Sequence, residues 1–487
     1  MFQFLILFLV TCFLIGQETK AAPIDVHGNF SSEYVMIENN RKLDQKNQNI
    51  TNQGSQENAL ASGNQSTASF QDYIFTLNPH IIVNDSTTLK GEISSGYARG
   101  GLFGENTTQT KKGNMANALY YYNTTDGQNS LVLNKFYAEF YADTATYLVG
   151  RHTDHWGLGV LYNSGEKSWD RHFYSRDGLT AKIKLGNFAI SPFFGRAGAE
   201  ASLTRATRTK EYGASLLYDN TEREVGFGLL YAKKENGGFN STMNADITPD
   251  NVNNPISMGK AEIKIVDLYF KKTFGIFSIA GEIPLMNGEI GHLYNASTES
   301  KYKGKAFIFE SDLKLGSTWS AKLDAGQVSG HSGSESSFDA LYLNPNYQIA
   351  NILFRYNIAA IADPTQSVFD SYIVNARYAK VAVGYGTDKW TWNSSLIYAK
   401  ALQTAKAGSK AFNHTNNKLF NANTTQSSDL GFEVDSNIDY SWNKEVIFGF
   451  AFGYHFVGDY YAFSNDTARI LKTKNSMLIS LKASVNF

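Results

Sequence analysis

The last twelve residues of the chain alternate apolar and polar side chains. One face carries Met477, Ile479, Leu481, Ala483, Val485 and Phe487. The other face carries Ser480, Lys482, Ser484 and Asn486, and Leu478 is the apolar exception on it. A period of two is typical of a β-strand whose two faces meet different surroundings. The stretch therefore predicts a strand with one apolar and one polar face.

The same alternation recurs along the chain in about eighteen segments. The segment 179–185 is a clear example, because leucine, alanine and isoleucine alternate there with threonine and lysine. Turn signals such as Asn84-Asp85, Gly186-Asn187 and Gly316-Ser317 join the segments in pairs, and long polar stretches separate the pairs. The pattern predicts an all-β fold, a transmembrane antiparallel up-and-down β-barrel of about 18 strands. With an even strand number, both termini fall at the short-turn end.

The composition favours a membrane barrel over a soluble sandwich or propeller, which could alternate in the same way. The chain has 33 Phe and 28 Tyr but a mean hydropathy of only -0.31. After the first residues, no apolar run reaches the roughly 18 residues of a membrane helix. Trp319, Trp390 and Trp442 lie near segment ends, as interfacial aromatic girdles do. We therefore expect periplasmic turns and extracellular loops in the outer membrane of a Gram-negative bacterium.

The N-terminus predicts a signal peptide over residues 1–21, followed by one barrel domain over residues 22–487. An apolar run begins at Phe4, and Ala21-Ala22 offers small residues for cleavage. The run departs from the usual pattern because no Lys or Arg precedes it. Cys12 is the single cysteine and would leave with the signal, so we expect no disulfide. Lys and Arg (44) balance Asp and Glu (45), and this balance gives no reason to expect a nucleic-acid partner.

Three segments resemble known outer-membrane families. Gly150-Arg151 with Trp156-Gly157, and the later Trp169-Asp170-Arg171, resemble porin-like proteins of the alginate-export type, as does the hairpin spanning 430–461. That resemblance implies an eighteen-stranded pore, but it does not imply alginate, because the inferred lumen carries both signs of charge. The last strand resembles the C-terminal strand of outer-membrane barrels. By that resemblance, Phe487 is the insertion signal read by the barrel-insertion machinery.

Alternation also predicts which charged side chains face the lumen. The inferred pore-lining residues are Lys135, Glu139, Arg151, Lys182, Lys184, Glu262, Lys264, Glu282, Glu310, Asp312, Lys314, Lys322, Asp324, Arg377, Glu433, Asp435 and Asp439. Basic side chains concentrate around Lys182 and Lys184, and acidic ones around Glu433 and Asp435. Charged rings set which ions pass a pore. We predict a transverse field with weak net selectivity.

The long loop at residues 329–368 is unusually apolar between residues 340 and 360. An external loop of this kind should not lie free in water. One hypothesis is that it folds into the pore or across its mouth, with Arg355 and Asp363 helping to line the constriction. The alternative is a structured external cap.

Two classes of function follow. The first is a porin for passive diffusion of ions and small hydrophilic solutes, and the second is a non-conducting surface barrel that acts as an adhesin or structural layer. No nucleophile elbow indicates an enzyme. His152, Asp154 and His155 could ligate a metal, but their place beside a girdle Trp favours an interface role, and we expect no metal or cofactor. The expected partners are outer-membrane lipid, including lipopolysaccharide, and the sequence leaves monomer and homo-oligomer open.

Overall fold

A computed structural model describes residues 23–44, 67–103, 131–197, 209–236, 261–291, 299–357, 367–415 and 418–487. In these residues the chain forms a closed antiparallel barrel of 18 long strands. They are β1 Ile24–Glu38, β2 Thr67–Asn84, β3 Thr87–Ser95, β4 Leu131–Tyr141, β5 Ala145–Thr153, β6 Ser175–Leu185, β7 Phe188–Ala197, β8 Lys210–Asn220, β9 Val225–Asn236, β10 Ala261–Phe274, β11 Phe277–Ile290, β12 Ala306–Leu315, β13 Trp319–Val328, β14 Ala376–Gly386, β15 Trp390–Ala401, β16 Asp429–Ser441, β17 Val446–Val457 and β18 Ser476–Asn486. The predicted signal peptide lies outside the described residues. The expected fold class is confirmed.

The barrel closes where the first strand pairs with the last. β1 and β18 are antiparallel, in register from Asn29 opposite Asn486 to Glu38 opposite Met477. Phe487 extends this pairing, because its backbone N–H and C=O bond to Gly28 at 3.0 and 2.6 Å. Closure leaves no unpaired sheet edge along these strands, which is what a strand-built membrane protein requires.

Short turns and long loops alternate around the barrel. The turns have two to four residues, for example 186–187 and 275–276, and the start of β1 and the end of β18 lie at the same end of the barrel as these turns. Gly186 and Gly275 occupy the left-handed region there with φ of 61° and 60°, which glycine adopts without steric cost. In the described part of the chain, no helix is long and apolar enough to cross a membrane.

Side chains alternate between a lipid-type outer face and an inner face. On β17, Phe448, Phe450 and Phe456 are exposed outward, whereas Ala451 and His455 are buried inside. Trp319 and Trp390 stand beside Tyr385 and Tyr440 at the short-turn end, with ring centroids 4.9 and 4.6 Å apart. The outer surface therefore carries an apolar band with aromatics at its edge.

Two local details differ from the simple alternation. Leu430, which strict alternation with Phe432 and Val434 would place outward, is buried inside because β16 bulges there: Ala399 pairs with Gly431 and Lys400 with Asp429, which leaves Leu430 as the extra residue. The alternation of residues 372–383 would start β14 at Tyr372, but β14 begins at Ala376, because Tyr372 belongs to the preceding loop and packs on Tyr342.

Candidate functional site

Two of the long loops fold into the barrel and pack on its inner wall. We call residues 154–174, between β5 and β6, loop A, and the described residues 329–357 and 367–375, between β13 and β14, loop B. Loop B contributes Leu341, Leu343, Ile349 and Leu353 to a buried cluster. The wall side of the cluster consists of the inward residues Ala306, Ile308, Val328, Ala376, Tyr378, Ile397 and Ala399. The apolar centre of loop B is thus covered because it lies against apolar positions of β12 to β15.

A carboxylate on the barrel wall holds the inner turn of loop B. Glu433 Oε1 accepts the N–H groups of Asn351 and Ile352 at 2.9 and 2.6 Å, and Oε2 accepts that of Leu353 at 2.8 Å. Asp435 Oδ2 also accepts the Asn351 N–H, at 3.0 Å. Backbone donors that leave water need such partners. The two wall carboxylates therefore fix this turn on β16.

The next residues of loop B reach the seam between β1 and β18. Phe354 has φ of 63°, an unusual value for a bulky residue, and Ser371 Oγ donates to its carbonyl oxygen at 2.9 Å. Arg355 lies 3.9 Å from Glu33 on β1, and Lys482 on β18 lies 3.5 Å from the same carboxylate. The strained turn thus directs Arg355 to a charged site on the seam. Asp363, the other predicted constriction residue, lies outside the described residues.

Loop A is held on the wall formed by β8 and β11 in the same manner. Glu282 Oε2 on β11 accepts the Leu158 N–H at 2.5 Å. Glu211 on β8 accepts bonds from the hydroxyls of Tyr162 and Tyr174 and from Arg176 Nε. Tyr162, Arg176 and Glu211 are buried, and Tyr174 is half-buried. Buried carboxylates are stable in proteins when they are paired in this way.

The far end of loop A is tied to β1 and β2. Arg171 donates to Asp72 Oδ1 at 2.5 Å and to the Tyr73 carbonyl at 2.9 Å. Asn29 Nδ2 donates to the Ser168 carbonyl at 2.9 Å. Loop A therefore spans from β8 and β11 to the first two strands.

The two loops also contact each other. The Asn344 N–H donates to the Val160 carbonyl at 2.7 Å, and the His172 N–H donates to Asn346 Oδ1 at 3.1 Å. Burial lowers the pKa of His172 to about 4, and the positive charge of Arg171 acts in the same direction. The His172 side chain is therefore neutral at pH 7. Loops A and B together form one layer across the lumen.

Twelve of the predicted pore-lining residues lie on the inner face. They are Lys135, Glu139, Lys182, Lys184, Glu310, Asp312, Lys314, Lys322, Asp324, Glu433, Asp435 and Asp439. Glu433 and Asp435 lie under loop B, and Glu310 accepts the Tyr347 hydroxyl at 2.8 Å. Lys182 and Lys184 are exposed near the short turns. Glu282, also predicted inward, is covered by loop A.

The other four predicted residues lie on the outer face instead. Arg151 shares a face with Val149 and pairs with the outward Asp177 at 2.6 Å. Glu262 and Lys264 share a face with Leu268 and Phe270, and Arg377 shares one with Val381 and Val383. All four lie within four residues of the loop end of a strand, where outward charges reach water and lipid head groups. We call the loop-side end of the barrel wall the rim. The assumption that a charged side chain must face the lumen does not hold at the rim.

Several interior charges were not singled out from the sequence. Glu33, Asp72, Arg171, Arg176 and Glu211 are buried in the two-loop layer. Alternation within β1, β2, β6 and β8 would have placed four of them inward, and Arg171 was noted only as part of the Trp-Asp-Arg motif. In the described part of the chain, no group of three or more metal-ligating side chains lies together.

Solved structures similar to this chain include outer-membrane porins. A BenF-like porin from Pseudomonas fluorescens Pf-5 is similar to this chain with a TM-score of 0.51 at 9% identity, over 95% of this chain and 98% of that one. Pseudomonas aeruginosa OccK2 (OpdF), in complex with glucuronate, gives a TM-score of 0.48 at 9% identity over 95% and 96% of the two chains. Pseudomonas aeruginosa OccK8 (OprE) gives 0.47 at 12% identity over 95% and 98%.

The BenF-like porin supports the fold, a closed barrel of the outer-membrane porin type. No family model matches this chain. No curated protein matches it either. The resemblance to the alginate-export type is not confirmed by these comparisons.

Proposed function

We propose that the protein is a porin of the Gram-negative outer membrane, through which ions and small hydrophilic solutes diffuse passively. The observation that carries the proposal is the two-loop layer inside a closed barrel. Barrels of about this strand number enclose an aqueous lumen, and inward loops narrow it. Glu433, Glu282 and Glu211 hold the layer on one part of the inner wall. The rest of the inner wall is charged and faces the aqueous lumen.

Cavities on both sides of the layer support this reading. A cavity of about 560 Å³ lies on the short-turn side of loop A and is lined by Lys90, Lys135 and Asn486, among others. A smaller cavity of about 140 Å³ lies on the loop side of loop B and is lined by Lys42, Tyr356 and Asp370, among others. We take them as vestibules of one solute path.

The remaining wall charges support weak selectivity. Lys182 on β6 and Asp439 on β16 are ten strands apart and so lie on nearly opposite sides of the barrel. Glu433 and Asp435 are covered and contribute less to the open path than their sequence pattern predicts. Lys322 pairs with Asp312 at 3.3 Å, which mixes the signs further. We propose a modest transverse field between the Lys182 and Asp439 sides.

One observation favours a second function, a non-conducting surface barrel. Loops A and B bond to each other through Asn344 and Val160, and a complete layer would close the lumen. Under this alternative the barrel is an adhesin or a structural layer protein, and its external loops are the contact surface. Conductance separates the two functions.

The test is planar-bilayer recording of the refolded mature protein under a salt gradient. The porin proposal predicts stable conductance steps and a small reversal potential, whose sign reports whether the Lys182 side or the Asp439 side dominates. Protein that is folded by heat-modifiability on a gel and yet gives no steps would favour the plugged barrel.

Further proposals concern assembly. Phe487 is exposed on the outer face beside the closing seam, a position that supports its role as the signal for the barrel-insertion machinery. We also propose a relationship to the alginate-export type, on the basis of the motifs around Gly150 and Trp156. Monomer and homo-oligomer both stay open, and no catalysis is proposed.

A further inference from the structure

Two cations stand side by side on the outer face of the barrel, near the ends of their strands on the loop side. Arg377 on β14 lies directly opposite Lys400 on β15 in the register. Both side chains are exposed. Like charges directly opposite each other destabilise a sheet. A negative charge close to both cations would offset this repulsion.

The protein itself supplies little of that counter-charge. Arg377 Nε and Nη2 both donate to Gln327 Oε1, at 2.9 and 2.6 Å, and an amide oxygen is neutral. Lys400 Nζ lies 5.7 Å from the centre of the Tyr398 ring. Asp429, the register partner of Lys400, offers one carboxylate for the two cations, and its Oδ1 accepts the Gly431 N–H at 3.1 Å. Among the described residues, neither cation forms an ion pair.

Two other rim cations on the same outer face are paired. Arg151 Nε and Nη2 donate to the two carboxylate oxygens of Asp177 at 2.6 and 2.8 Å. Lys233 lies 3.0 Å from Glu262 and also pairs with Glu235. Arg151 and Lys233 thus have carboxylate partners on this face, whereas Arg377 and Lys400 form no such pair.

We propose that Gln327, Arg377 and Lys400 form a binding site for the phosphate of a lipid head group. The bonds to Gln327 hold the guanidinium in place, and Lys400 adds a second cation, the combination that binds phosphate oxygens. Directly along the same face lie the exposed apolar side chains of Val381, Leu396 and Tyr398. An occupant with a phosphate above hydrocarbon is a lipid, not a free anion.

The inference rests on the proposed membrane location, and the experiment separates the two. The refolded full-length chain in neutral detergent micelles is titrated with dioleoyl phosphatidic acid or dioleoyl phosphatidylethanolamine, and lipid adducts are counted by native mass spectrometry. The first variant, R377Q/K400Q, removes both cations of the proposed site. The matched control, R151Q/K233Q, removes two cations that have carboxylate partners. Conductance of every preparation is recorded in parallel.

The site predicts that wild type prefers phosphatidic acid and that R377Q/K400Q lowers the apparent affinity roughly tenfold, since each cation near an anionic lipid surface contributes. R151Q/K233Q should bind as wild type does, and excess inorganic phosphate should not compete. Equal binding by R377Q/K400Q, an equal loss in R151Q/K233Q, or competition by inorganic phosphate would each overturn the inference. Conductance unchanged across the variants leaves the porin proposal standing in every case.

Discussion

The inner wall of the barrel has two regions that use the same charged residue types differently. On the loop side, Glu433, Glu282 and Glu211 are buried and accept hydrogen bonds from loops A and B. On the short-turn side, Lys182, Lys184 and their neighbours are exposed to the lumen. Period-two alternation is identical in both regions. The difference shows that an inward charge holds a loop in one region and lines water in the other.

The largest expected effect comes from removing a loop-holding carboxylate. E433A leaves the N–H groups of Ile352 and Leu353 without their acceptor, and each orphaned buried donor costs roughly 1–3 kcal/mol. The Asn351 N–H keeps its second acceptor, Asp435. We expect fast hydrogen exchange of the Ile352 and Leu353 amides in the otherwise folded barrel. D439A, an exposed inward carboxylate on the same strand, is the matched control and should leave their exchange unchanged. Equal protection in E433A and wild type would contradict the assigned role.

A slightly smaller effect is expected at the other end of the layer. R171Q leaves Asp72 buried without its charge partner, which typically costs about 3–5 kcal/mol when a buried pair is broken. Part of this loss should be recovered by relaxation of the end of loop A. Urea unfolding in micelles would show a lower midpoint. K322Q breaks the half-exposed pair with Asp312 and should cost less than about 1 kcal/mol; similar losses in both variants would remove the distinction between the regions.

Charge reversal on the exposed region should change ion selectivity and leave stability nearly unchanged. K182E/K184E replaces two positive charges with two negative ones on the open wall. The reversal potential should move toward cation preference, and the shift should shrink at high salt because exposed charges are screened. A shift that persists at high salt, or a large loss of stability, would indicate that these lysines are not in open water.

The smallest effect concerns pH. The pKa of His172 is about 4 in the folded protein and lies near 6.5 in an unfolded chain. Between these values the unfolded state binds the extra proton, so stability falls as pH drops from about 6.5 toward 4. H172N removes this titration. We expect a weaker pH dependence of the unfolding midpoint in H172N than in wild type over that window, and identical slopes would exclude His172 as a contributor.

Much of the barrel follows from the sequence because period-two alternation holds along most of each strand. The exception on the last strand, Leu478, has a local cause: it faces inward and packs with Val35, Ile37 and Ile352 of loop B. Alternation alone misplaces Leu430 because a bulge in β16 reverses the alternation without any change in composition. Arg151, Glu262, Lys264 and Arg377 were misplaced because charge was taken to indicate the lumen.

The candidate site was only partly predictable. The apolar centre of loop B indicated that this part of the loop would be covered. In the structure it packs against the inner wall of the barrel. Loop A gave no comparable signal, since its contacts depend on pairs far apart in the chain, such as Arg171 with Asp72, which are separated by 99 positions. Alternation identifies a side of the sheet, but it does not identify which distant backbone covers that side.

The most direct test of the central claim is the single-channel conductance of a variant that lacks residues 340–360, recorded beside wild type. If loop B narrows an aqueous lumen, the deletion should raise the conductance of each step, by about twofold or more for the removal of a constriction. Deleting residues 466–468, three exposed residues of the external loop between β17 and β18, serves as the control and should leave it unchanged. Equal conductance of wild type and the 340–360 deletion would contradict the account.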